Sequence, residues 1–296
     1  MREKRKVLKL KSNNKDKNPS PGGSNGGGGG GGVASTQTVN TAVKKGELSK
    51  QYLDIKFKID AKIQKILDNK NLYSKETLKE VQDAFEAFRY GVRDSKVLDT
   101  VLEKARIERI TNILKIGYMS GYPNNTFKPD GKMTRAEVAV MFLTLVDPDE
   151  DKNIKLPFTD VKPGSWYANS VLQLDKLGYF KLSSSDKFEP NKNITRAEVA
   201  FIIAKLKKLD AGTKTFKDVS EEHWALRAIS ACADAGIISG YADETFKPDE
   251  QISRAEMVSM LSRAFDIKPN IEGKKAYSDV KQSHWAYNYI VSARKK

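Results

Sequence analysis

Phe216-Lys-Asp-Val219, His223-Trp-Ala225, Gly240-Tyr-Ala-Asp-Glu-Thr-Phe-Lys-Pro248 and Ser253-Arg-Ala-Glu256 follow one another in a single stretch, and their parts recur along the chain. An Asp is followed six residues later by Trp at Asp160 and Trp166, at Asp218 and Trp224, and at Asp279 and Trp285; these are all the tryptophans of the protein. A Thr/Ser-Arg-Ala-Glu box is written at Thr134 to Glu137, Thr195 to Glu198 and Ser253 to Glu256. A fixed period of about 60 residues signals a repeat architecture, in which each unit buries its apolar face on a neighbour and the seams between units form equivalent surfaces.

The internal spacing is strict. Gly117 to Pro129, Gly178 to Pro190 and Gly236 to Pro248 each span 12 residues, and each Pro precedes its Thr or Ser by five. Each unit therefore reads as a helix, a glycine turn, a loop with an aromatic-x-Pro step (Phe127 to Pro129, Phe188 to Pro190, Phe246 to Pro248), and a second apolar helix. The repeat region opens with a second half-motif lacking its Asp-Val-Trp half and closes with a first half-motif lacking its second half. Two arrangements answer this. The C-terminal helix completes the open unit in a closed, pseudo-threefold assembly, or a helix from Ser95 serves as that unit's first helix.

Thr134 with Glu137, Thr195 with Glu198, and Ser253 with Glu256 have capping-box spacing, in which the hydroxyl and the Glu carboxylate satisfy each other's backbone N–H groups. Capping leaves the arginine unexplained, because a cation in the first helical turn faces the positive end of the helix dipole. Arg135, Arg196 and Arg254 either brace a neighbouring unit through a carboxylate or bind an anion at the helix N-terminus with their fork geometry. Trp166, Trp224 and Trp285 read as staples or as rings that stack on a ligand such as a sugar. Asp160, Asp218 and Asp279 read as braces of the turn before the following helix, or as partners of ligand hydroxyls. Gly121 and Gly240, beside Tyr122 and Tyr241, read as left-handed turn residues that also let backbone approach a ligand.

Composition narrows the rest. Of a net charge of +14, residues 1–50 contribute 11 Lys/Arg against 3 Asp/Glu, so the repeats themselves are only mildly basic. Residues 18 to 36 include a glycine run from Gly26 to Gly32 and read as a flexible linker. Apolar stripes at Ile59, Ile63 and Ile66, at Leu78, Val81 and Phe85, and at Leu98, Val101 and Leu102 predict three helices before the repeats. Cys232 alone excludes an intramolecular disulfide, and His223 and His284 are repeat features rather than a ligand cluster, so no metal or cofactor is expected. No apolar stretch has transmembrane length, and Met1 to Leu10 lacks a signal-peptide apolar region. The expectation is a fragment or split reading frame of a longer exported protein.

These residues together resemble the S-layer homology (SLH) domain family, whose Asp-Val…His-Trp-Ala start, Gly-Tyr-x-x-x-Thr-Phe-Lys-Pro loop and Ile-Thr-Arg-Ala-Glu box stand here at Asp218 to Ala225, Gly240 to Pro248 and Ile194 to Glu198. The resemblance covers about residues 110 to 296. It implies a mainly α fold, a pseudo-threefold SLH trimer of helix-loop-helix repeats around a central helical bundle. A small helical segment at 46–109 and a disordered basic, glycine-rich linker at 1–45 precede it. The implied units are 110–153 (first half-motif missing), 154–211 and 212–270, with 271–296 a partial half-motif that completes the first. The resemblance further implies a monomeric, non-catalytic wall anchor at the cell surface, without membrane insertion. Its inter-repeat grooves would bind an anionic, often pyruvylated, secondary cell-wall polysaccharide attached to peptidoglycan. Each box Arg would contact the acidic sugar, with the Trp, the loop Gly and the Asp completing the groove.

The middle unit departs from the pattern: Leu182 stands where the others have Gly121 and Gly240. The groove using that loop is expected to be weak, with Arg135 and Arg254 outranking Arg196. The competing reading, a nucleic-acid-binding basic repeat protein, is opposed by acids interspersed in every repeat; a protein–protein scaffold built from the helices of 46–109 is compatible with anchoring. No Ser/His/Asp set or nucleotide loop suggests an enzyme.

Overall fold

A computed structural model describes residues 55–89, 95–148, 157–180 and 186–295 of the chain. The chain divides into Met1–Lys56 and Phe57–Lys296. The expected disordered linker at 1–45 lies outside the described residues, as does Leu182.

The segment before the repeats is helical because its apolar residues recur at helical spacing. Helix α1 (55–68), a 3-10 turn at Lys70–Leu72, α2 (Lys75–Arg89) and the start of α3 (Ser95–Ile116) enclose a small core of Ile63, Ile66, Val81, Leu98, Leu102 and Ala105. Ser74 caps α2: its Oγ accepts from the Thr77 N–H at 3.2 Å. The Ser74 N–H donates to Glu108 Oε1 at 2.7 Å, which ties the start of α2 to α3. Helix α3 is shared. Its first half serves this small core, whereas Ile110 and Leu114 belong to the larger core of the repeats.

The repeats contribute α4 (Arg135–Val146), α5 (Ala168–Lys176), α6 (Arg196–Lys207), α7 (Leu226–Asp234), α8 (Arg254–Ala264) and α9 (Tyr287–Ala293). Helices α4, α6 and α8 follow the boxes and bury most of their residues; Val199, Ala200, Ile202, Ile203 and Leu206 of α6 are all buried, which marks a central helix. Helices α5, α7 and α9 follow the tryptophans and pack against α4, α6 and α8 respectively. Helix α3 packs on both α4 and α9. The fold is mainly α, and among the described residues the only β pairing is a few isolated bridges. None of the described helices is long and apolar enough to cross a membrane.

Three of those bridges link the segments before the boxes: Thr134 to Asn193, Thr195 to Gln251, and Ser253 to Lys132. Each segment thus pairs with the next, and the last returns to the first. The two ends of the repeat region also meet. Tyr118 and Met119 donate their N–H groups to the Ala293 carbonyl at 3.0 Å each, and Lys295 donates back to Met119 at 3.0 Å.

Candidate functional site

The seams are assembled at the N-termini of α4, α6 and α8. All three boxes form capping boxes: Glu137, Glu198 and Glu256 donate their N–H to the cap hydroxyl at 3.2 Å, and their carboxylates accept the cap N–H. A helix start also leaves its first N–H groups without partners. Here the next unit supplies carbonyls. Arg135 and Ala136 donate to Lys192 and Pro190, Arg196 and Ala197 to Glu250 and Pro248, and Arg254 and Ala255 to Gly131 and Pro129, all at 2.9 to 3.0 Å. The first turn of each helix is therefore saturated by protein groups, and any anion at a seam must be held by side chains.

Each box arginine is buried and reaches across the seam into the loop of the following unit. Arg135 Nε donates to the Phe188 carbonyl at 2.8 Å, Arg196 Nε to Phe246 at 2.9 Å, and Arg254 Nε to Phe127 at 2.8 Å. Rings flank each guanidinium. Arg135 lies over Phe180 and Phe188, Arg196 over Tyr241 and Phe246, and Arg254 over Tyr122 and Phe127, with centroid distances of 4.5 to 5.5 Å.

The three seams differ in their carboxylates. Arg135 pairs with Glu198, and Arg196 pairs with Glu256 at 2.5 Å. Continuing the cycle would pair Arg254 with Glu137. Instead Arg254 donates Nη2 to the Ser120 carbonyl at 2.7 Å and has no ion pair among the described residues. It is 7% exposed, so it is a nearly buried cation balanced by carbonyls and ring faces alone. Burial pushes the Glu256 carboxyl up, but bonds from the Ser253 N–H and Arg196 outweigh this and hold it below the ordinary carboxylate value.

Beside Arg196 the seam opens into a groove of about 470 Å³ whose walls include Lys132, Tyr241, Lys247, Ser253, Glu256 and Trp285. The Tyr241 hydroxyl donates to Glu256 Oε1 at 3.2 Å, which joins the groove wall to the ion pair beneath. Trp285 is 61% exposed and Trp166 65% exposed, so neither ring is spent on core packing. Trp224 is less open and contacts Phe201 edge to face at 5.7 Å.

The S-layer homology domain family profile matches residues 105–139, 157–200 and 215–258. The chain carries SLH domains. It is 38% identical over 183 residues to a cellulosome-anchoring protein of Acetivibrio thermocellus, covering 58% of this chain and 41% of that protein. It is 28% identical over 162 residues to an S-layer protein of Bacillus thuringiensis subsp. finitimus, covering 53% and 20%. It is also 30% identical over 135 residues to an endoglucanase of a Bacillus species, covering 44% and 14%. The chain thus spans well under two thirds of these relatives.

In these SLH units the half-motif aspartates brace a different segment from the one their position suggests. They grip the aromatic-x-Pro step rather than the turn before the next helix. Asp160 accepts from the Phe188 and Glu189 N–H groups at 2.9 and 2.7 Å, Asp218 from Phe246 and Lys247 at 2.8 and 2.7 Å, and Asp279 from Phe127 and Lys128 at 2.7 Å each. The second residue of each pair, Lys128, Glu189 or Lys247, is left-handed with φ of 55 to 57°, so the carboxylate secures a strained backbone. Asp279 does this for a loop inside the first matched span although it lies outside all three.

The loop glycines have a packing cause. A Cβ on Gly121 would lie 2.2 Å from a Tyr277 ring atom, and one on Gly240 would lie 2.4 Å from Phe216. Only Gly240 of the two is left-handed, at φ 50°. The histidines are local: His223 and His284 accept through Nδ1 from Ala225 and Ala286 at 3.2 and 3.1 Å. Among the described residues no group of His, Cys, Asp and Glu could hold a metal ion.

The expected ranking of the arginines rested on which of them meets the departing loop. It treated Arg196 as facing the departing middle loop, but each arginine crosses to the next unit, so Arg135 faces that loop through Phe188 and Phe180. Sequence reasoning also missed Phe180, which sits over Arg135 where Tyr241 and Tyr122 sit over the other two. The shared signal was an aromatic near each glycine turn, at different offsets.

Proposed function

We propose that this protein is a non-catalytic anchor that holds its chain to the cell surface by binding an acidic secondary wall polysaccharide, in pyruvylated form, in the seams between SLH units. The names of its relatives fit that reading, including the endoglucanase, in which the SLH-like part covers a small share of a catalytic protein. Residues 271–296 complete the first unit in this reading, giving a pseudo-threefold monomer. The Asp279 bonds and the cyclic bridges support that closure.

One observation carries most of the weight: Arg254 is a nearly buried guanidinium without a carboxylate. In the other two seams Glu198 and Glu256 already occupy the arginine where a sugar carboxylate would bind, so an acidic ligand must displace or share it. The seam at Arg254 is therefore the primary site. The test is co-sedimentation with Gram-positive wall sacculi, before and after chemical removal of the secondary polymer. Pelleting should need the polymer and fall most for Arg254→Ala. Pelleting that survives polymer removal would sink the reading.

A further inference from the structure

A large cavity lies away from the seams, between α1 and the C-terminal ends of α4, α5 and α6. It measures about 1180 Å³, above the roughly 300–1,000 Å³ of a small-molecule pocket. Its size suits a chain segment rather than a compact ligand.

Seven cations line it. Lys58, Lys62 and Lys65 come from α1, Arg106 from α3, Lys176 from α5, Lys205 from α6, and Lys208 follows α6. Asp147 is the one carboxylate on the wall, and Glu103 stands behind Arg106 and Lys208. Lys65 is anchored on Asp147 at 2.8 Å, Arg106 on Glu103 at 2.6 Å and on the Leu206 carbonyl at 3.0 Å, and Lys208 on Glu103 at 2.7 Å. Burial pushes the Glu103 carboxyl up, but its bonds from Arg106 and Lys208 hold it down to about 2, as expected beside concentrated positive charge.

Lys58 and Lys62 have no carboxylate partner among the described residues, and Lys205 lies over the Tyr179 ring at 5.7 Å without one. Residues 149–156, next in sequence, carry three acids and two lysines, so the balance stays positive even when they are counted. Between the cations the wall is apolar, with Val146, Leu177 and Tyr179.

We propose that this cleft is a second binding site, separate from the SLH seams, for an extended acidic polysaccharide strand whose anionic groups sit on Lys58, Lys62 and Lys205. Lysines act as point charges that follow a flexible polyanion, and the apolar wall suits the C–H faces of sugar rings. Nucleic acid fits less well, since its bases need open ring faces and the Tyr179 ring is buried beneath Lys205. The proposal is independent of the seam reading.

The test uses the full chain and a labelled galacturonic acid oligomer, followed by fluorescence anisotropy at low salt, with dextran as the neutral control. The combined Lys58→Gln, Lys62→Gln and Lys205→Gln variant should bind on the order of tenfold more weakly. Replacing the same three lysines with arginine should preserve binding. The basic N-terminal segment is common to every variant and cancels from the comparison. Lys62→Gln alone, on an exposed helix face, keeps a readout if the triple variant loses its helical circular dichroism. Unchanged binding by the glutamine variants would overturn the proposal. So would tighter binding of single-stranded DNA through the same lysines.

Discussion

Replacing Asp279 with Ala removes one carboxylate and releases two backbone N–H groups, those of Phe127 and Lys128, each held at 2.7 Å. A hydrogen bond to a charged group contributes about 1.5–3 kcal/mol, and a donor left unmade in a partly buried site costs toward the upper end. The Phe127 N–H is part-buried and counts fully, whereas the Lys128 N–H is exposed and recovers most of its loss from water. Lys128 also loses support for its left-handed φ of 55°, worth about 1 kcal/mol. The sum is about 2–4 kcal/mol, a large share of the roughly 5–15 kcal/mol that holds a domain folded. For a folded unit of this size it corresponds to a fall in Tm of roughly 5–15 °C. Urea unfolding followed by circular dichroism measures it, with the m-value unchanged if only the native state is affected. Asp160→Ala and Asp218→Ala make the same bonds in their own units and should cost similar amounts. A loss for Asp279→Ala within about 0.5 kcal/mol of zero, the range of an ordinary surface change, would refute the reasoning and separate the C-terminal half-motif from the loop it is said to hold.

Other outcomes follow from the same geometry. Sacculus binding should fall at least about tenfold in Arg254→Ala and less in Arg135→Ala and Arg196→Ala, measured by sedimentation at fixed salt; equal losses would remove the special standing of the unpaired arginine. Gly121→Ala should destabilise by about 1–3 kcal/mol, because its Cβ would sit 2.2 Å from the Tyr277 ring and the well-packed neighbour must shift; thermal melting of the variant checks this. Glu103 is held down to about 2 and Glu256 is also held below its ordinary value, so both titrate lower in the folded state than in the unfolded one. Their contribution to stability is therefore complete above about pH 4.3 and disappears as pH falls through the folded values. Melting temperature should drop on acidification from about pH 5 toward 2, and Glu103→Gln should flatten that slope.

Local features of the SLH units were legible because their causes are local. A Thr or Ser three residues before a Glu bonds within one helical turn, so the capping boxes follow from the chain order alone. The apolar stripes before the repeats likewise gave α1, α2 and α3. The role of Gly121 was not legible, since the ring that fills its missing Cβ belongs to Tyr277 at the other end of the repeat region. The pairing of arginine with loop was misread for a related reason: three copies of a motif look alike, and nothing in their order says whether a side chain turns back to its own unit or forward to the next.

By itself the sequence determined that there are repeats, where their helices begin, and that each box arginine needs a reason beyond capping. Only the tertiary structure decided which loop each arginine enters, that Asp279 holds the loop at Phe127, and that the cycle of Arg–Glu pairs stops at Arg254. The physical reason is range. Capping bonds and helical periodicity act over three or four residues and are written in the order of the chain. Charge balance at a seam depends on which unit closes against which, and that is settled only when the cores of all three are packed together.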